Sequence, residues 1–142
     1  MSKSVKNIII SGSCLLMLSF TLSLSQVKRV IPVEYYRSRC DYCKMLFQVK
    51  SFGAELVLRN DSLLLFDATE CLAAFLIGNK LPDTRIKKIW SVDFMRPTML
   101  VDGRMAFHIR SDSIVSPMEV NLAAFGSWKE ADSVYFRGGG RF

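Results

Sequence analysis

The stretch Leu63-Leu64-Leu65-Phe66-Asp67-Ala68-Thr69-Glu70-Cys71-Leu72-Ala73-Ala74-Phe75 decides the fold by where it is divided. Its first four residues are strand formers, whereas Asp67 to Glu70 place acidic groups where the dipole of a starting helix favours them. Leu72, Phe75 and Leu76 then supply an apolar stripe that runs to Gly78, so the stretch reads as a strand followed directly by a helix. Upstream, Asn60-Asp61-Ser62 has the composition of a tight hairpin turn, and Ala54 to Leu58 reads as its other strand. Ser51-Phe52-Gly53 is a further turn, which leaves Lys44 to Val49 as a first strand.

The second half repeats the pattern. Strands are expected over Lys88 to Phe94, Thr98 to Val101 and Arg104 to Ile109, with turns at Asp102-Gly103 and Ser111-Asp112-Ser113 and a helix after Pro117. A shift that lays Leu122-Ala123-Ala124-Phe125 on Leu72-Ala73-Ala74-Phe75 matches all four residues, each group following a glutamate. The expected fold is therefore α+β, with two related strand-strand-helix units.

The chain has 142 residues, half of them apolar, which suits one domain with one core. Residues 1 to 25 differ in kind. Lys3 and Lys6 precede an uncharged run from Ile8 to Ser25, the outline of a secretory leader, and small residues at Ser23 and Ser25 place the expected cleavage before Gln26. Retained, the same run is just long enough to anchor the chain in a membrane, although its serines make it a weak span. Lipidation at Cys14 ranks third, because the apolar stretch before it is only Ile8-Ile9-Ile10. Residues 26 to 39 read as a tether and residues 40 to 142 as the folded body. The net charge of +6 is spread over scattered basic residues with no aromatic-interleaved stripe, so nucleic acid is not an expected partner.

The folded body opens on Cys40-Asp41-Tyr42-Cys43-Lys44-Met45, and three chemistries compete for it. Thiol-disulfide exchange would use Cys40 and Cys43, but such motifs place the first cysteine at a helix N-terminus, and a strand pattern follows here. Structural zinc would need Cys40, Cys43, Cys71 and His108, the last two isolated in sequence. Reduced copper favours thiolate and thioether donors. On a strand, Cys43 and Met45 would project from one face and chelate one ion, with a third sulfur from elsewhere. Met118, at the turn after Ser116-Pro117, is the methionine best placed at a rim, though packing is the ordinary use of an isolated methionine. Cys71, one residue from Leu72, reads as packed in the core.

These residues carry a resemblance. Cys40-x-x-Cys43-x-Met45, Phe52-Gly53-Ala54-Glu55-Leu56, Phe66-Asp67-Ala68-Thr69-Glu70-Cys71-Leu72 and Ser116-Pro117-Met118, in that order, resemble the NosL family, the exported accessory proteins of nitrous oxide reductase. The resemblance implies a Cu(I) chaperone outside the cytoplasm that catalyses no bond chemistry. Its ligands would be Cys43, Met45 and Met118, with Cys40 as a fourth ligand or as a disulfide partner of Cys43. It further implies a copper-receiving partner, nitrous oxide reductase or its assembly transporter, and a fold of two strand-strand-helix units. Family members commonly carry glycine between the cysteine and the methionine and again after the second methionine; here those positions are Lys44 and Glu119.

Overall fold

A computed structural model of the chain describes residues 37 to 138. The leader at 1 to 25, Cys14, most of the tether and residues 139 to 142 lie outside the described residues. Strand β1 (Ala54–Leu58) and strand β2 (Leu63–Phe66) form an antiparallel hairpin with Ala54 opposite Phe66. Its turn works as its composition suggests. Asp61 takes a left-handed φ of 63°, and the Ser62 amide donates to Asn60 Oδ1 at 3.2 Å. Helix α1 (Thr69–Gly78) starts three residues after β2, burying Leu72 and setting Phe75 against Phe66 at 5.3 Å between ring centres.

Strand β3 (Ile86–Asp93) pairs antiparallel with the other side of β1, and β4 (Arg96–Asp102) folds back on β3. Strands β5 (Phe107–Arg110) and β6 (Leu122–Phe125) form a second antiparallel pair, and β6 joins β3 in parallel where Asp93 faces Ala124. Helix α2 (Trp128–Gly138) closes the described chain. The sheet order is β2-β1-β3-β6-β5, with β4 also on β3. This is the expected α+β fold. The units are β1-β2-α1 and β5-β6-α2, with the β3–β4 hairpin between them.

Two local expectations fail for physical reasons. Lys44 to Val49 is not a strand: only Arg39 and Leu46 form a bridge, because the chain has just reversed through residues 41 to 43 and has one short neighbour to pair with. No helix starts at the Pro117–Met118 turn either. The chain turns through Glu119 and Asn121, both left-handed at φ 59° and 63°, and then runs extended as β6. Alanine favours helix, but Ala123, Ala124 and Phe125 are buried in the middle of the sheet, and tertiary packing overrides the propensity.

The core is continuous from the first unit to the second. Phe52 stacks on Phe94 and Phe94 on Phe125, each at 5.4 Å. The buried Asp93 carboxylate accepts from the Met95 amide at 3.0 Å and from Arg96 Nη2 at 2.7 Å, and the same guanidinium reaches Glu130 on α2 at 2.9 Å. Among the described residues, no helix is long and apolar enough to cross a membrane.

Candidate metal site

The cysteine pair sits in a tight knuckle. The Cys40 amide donates to the Met45 carbonyl at 2.9 Å, and the Lys44 amide donates to the Cys40 carbonyl at 3.1 Å. Asp41 fixes the knuckle to β2: its amide donates to the Leu65 carbonyl at 2.8 Å, and its Oδ2 accepts from the Leu65 amide at 2.7 Å. Lys44 takes a φ of 63°. This overturns the expectation that Cys43 and Met45 share a strand face; a left-handed residue between them re-aims the chain instead.

The knuckle, the β2–α1 junction and the first turn of α1 bring four groups together. Cys40, Cys43, Asp67 and Cys71 offer one ligand atom each, all within 4.8 Å of one another, a set able to hold a metal ion. All three cysteines are free thiols. Asp67 is the hub. Its carboxylate accepts from the Cys43 thiol at 3.5 and 3.6 Å, and the sulfurs of Cys40 and Cys71 lie within 4.8 Å of it.

Burial pushes the Cys40 thiol up to about 11, against the backbone amides of Asp67, Cys43 and Tyr42, which donate to its sulfur and pull it down. Burial also pushes Cys71 up, and the Asp67 carboxylate adds to the effect. A redox nucleophile needs the opposite, a thiolate stabilised near neutral pH. Cys71 is 1% exposed, as its expected packing requires, yet its sulfur belongs to the cluster. In the sequence Cys71 is a ligand only of the zinc alternative, and Asp67 is not read as a ligand. The available signal is their closeness in sequence across the start of α1, with Asp67 just before the extended cap residue Ala68.

Both methionines are exposed. Met45 is 46% exposed and Met118 is 37% exposed. Met45, Asp67 and Pro117 line one cleft of about 90 Å³, so the turn that carries Met118 meets the knuckle next to the cluster. That turn is anchored. Ser116 Oγ donates to the buried Glu70 carboxylate on α1 and accepts from the Asn121 amide at 2.8 Å. Glu70 Oε2 is buried without a hydrogen-bond partner.

Lys44 and Glu119, the two positions at which the resembling family commonly carries glycine, are left-handed at φ 63° and 59°. Glycine holds that conformation without the Cβ strain other residues bear. Lys44→Gly and Glu119→Gly are each expected to stabilise the fold by about 0.5–1 kcal/mol, read as a higher urea midpoint. A lower midpoint in both would show that these side chains contribute more than the strain costs.

His108 does not join the thiols. It pairs with Ala124 across β5 and β6 and lines a separate cavity with Leu72, Ile89 and Leu122. Burial pushes its pKa below the ordinary value, against a hydrogen bond with the Ala106 backbone. The unfolded chain therefore binds the proton first, and stability present above about pH 6.5 falls as the pH drops through the depressed folded value. Urea midpoints at pH 7.5 and pH 5 should differ accordingly, and His108→Gln should reduce the difference; an undiminished difference would assign it to other groups.

Fold and cluster together define an α+β domain with a thiol-rich pocket at the junction of a knuckle and a helix. No family model matches the chain, and no curated protein matches it. Among solved structures, the copper chaperone NosL from Shewanella denitrificans is similar, with a TM-score of 0.64 and 19% identity over 74% of this chain and 84% of that one. The chain thus has a NosL-like fold.

Proposed function

We propose that the protein is an exported Cu(I) chaperone, with Cys43, Met45 and Met118 as rim ligands and Cys40 beside them. The observation that carries the reading is the meeting of the knuckle and the Pro117–Met118 turn at one cleft beside the thiol cluster. Thiolate and thioether donors suit a soft monovalent ion that tolerates few ligands. The similarity to a copper chaperone and the motif resemblance support the same cargo. Exposed methionines at a rim suit transfer by ligand exchange, in which an acceptor's sulfur replaces a thioether while Cys43 keeps hold. The acceptor would be a copper enzyme, nitrous oxide reductase or its assembly transporter on the family resemblance. The leader-like stretch at residues 1 to 25 supports delivery outside the cytoplasm, with a retained segment as a membrane tether.

Leucine at either methionine keeps volume and apolarity and removes the sulfur. Met45→Leu and Met118→Leu are each expected to lower by about tenfold or more the affinity for a Cu(I) ion that the unaltered chain holds, about 1.4 kcal/mol, in an anaerobic competition titration. Affinity unchanged in both variants would sink the rim assignment.

A further inference from the structure

The mechanism of the rim leaves two buried thiols and a buried carboxylate unused. We propose that Cys40, Cys43 and Cys71, with Asp67 as the fourth donor, form a second site for a thiophilic d10 cation, deeper than the rim and joined to it through the Cys43 sulfur. The proposal takes the rim reading as its other half, but the two can fail separately.

Three observations carry it. The first is distance. A metal with bonds of about 2.3 Å to sulfur holds its ligand sulfurs roughly 3.8 Å apart, and the four donor atoms here already lie within 4.8 Å, so closure by about 1 Å completes the site. The second is the backbone. The Cys40 amide donates to the Met45 carbonyl and the Lys44 amide donates to the Cys40 carbonyl, a closed turn that holds the two knuckle cysteines in place before a metal arrives. The left-handed Lys44 lets the turn close tightly enough to aim them.

The third is the placement of Asp67. Its buried carboxylate accepts from the Cys43 thiol and lies within 4.8 Å of the sulfurs of Cys40 and Cys71, so a cation held by the three sulfurs would sit against it. On binding, each thiol releases its proton to solvent and bonds the metal through sulfur, and the carboxylate turns from accepting the Cys43 thiol to donating toward the ion.

Charge sets the occupancy. Three thiolates around one monovalent ion would leave two negative charges buried beside Asp67, which is costly. A second Cu(I) at the rim, bridged through Cys43, or one Zn(II) in the pocket, leaves only one. The pocket therefore takes Cu(I) as the second of two ions, or Zn(II) alone.

The test uses the full chain, under anaerobic conditions, with Cu(I) alone and Zn(II) alone, each against a chromophoric chelator. Two Cu(I) ions per chain are expected, falling to one in Cys71→Ser, whereas Met118→Leu weakens both, because the pocket holds Cu(I) only beside an occupied rim. One Zn(II) is expected, lost in Cys71→Ser and kept in Met118→Leu. Loss of an ion in Cys71→Ser with no effect of Met118→Leu supports the buried site and defeats the rim reading. A single Cu(I) in the unaltered chain, with both metals bound as before in Cys71→Ser, overturns the buried site and leaves the rim reading standing. X-ray absorption at the zinc edge of the unaltered chain makes the test independent of whether the variant folds. Three sulfurs and one oxygen are expected around the ion, and fewer than three sulfurs overturns the proposal.

Discussion

Cys43→Ser is expected to weaken Cu(I) binding by about a hundredfold or more, because in the proposed arrangement its sulfur serves both the rim and the thiol cluster to which it belongs. A hydroxyl is a hard, neutral donor, and a soft ion loses its strongest bond when it replaces a thiolate. The change is conservative for the fold. Serine can still donate to the Asp67 carboxylate, which now accepts the Cys43 thiol at 3.5 Å, and Cys43 is only half-buried. The metal-free variant should therefore stay within about 1 kcal/mol of the unaltered chain in urea unfolding. Anaerobic competition titration reads the first quantity and the urea midpoint the second. Undiminished Cu(I) affinity in a folded variant would show that no bound copper depends on this sulfur, and the chaperone reading would fall.

Phe125→Ala should cost about 3–5 kcal/mol of stability, a large part of what a domain of this size commands. Phe125 is fully buried at the end of β6, where its ring meets Phe94, which in turn meets Phe52. Removing the ring opens a cavity where the second unit joins the first, and a strand paired on both sides can collapse little to fill it. Chemical denaturation of both chains gives the difference directly. A loss under about 1.5 kcal/mol would mean that the units are held together elsewhere.

The position of Phe125 also shows what the sequence could and could not reveal. Two strand-strand-helix units are present, but matching Leu122-Ala123-Ala124-Phe125 with Leu72-Ala73-Ala74-Phe75 lays a strand on a helix. The structural counterpart of Leu122–Phe125 is Leu63–Phe66: each is the second strand of its hairpin, each ends on a fully buried phenylalanine, and each is followed within three residues by a helix. A short apolar run lacks the length to declare its period, and its conformation is set by neighbours far along the chain. Elements with their own local signals were legible. The Asn60-Asp61-Ser62 turn, the strands around it and the start of α1 all stand where their residues place them.

The site divides in the same way. Cys40 and Cys43 were legible because a pair of soft donors in a short motif is rare enough to notice. Asp67 and Cys71 were hidden by ordinary roles, an acidic group before a helix and a small apolar residue on its inner side. Only the knuckle's attachment to β2, through Asp41 and Leu65, brings the first pair of thiols to the second group. The strand assigned to Cys43 and Met45 failed because Lys44 is left-handed, a conformation that lysine in a strand-like pattern does not announce.

The same attachment does a second job. β2 is the outermost strand on its side of the sheet, and an uncovered outer strand invites a strand from another molecule. Asp41 occupies both the amide and the carbonyl of Leu65 that face away from β1, so the cysteine-bearing turn also seals that margin against self-association.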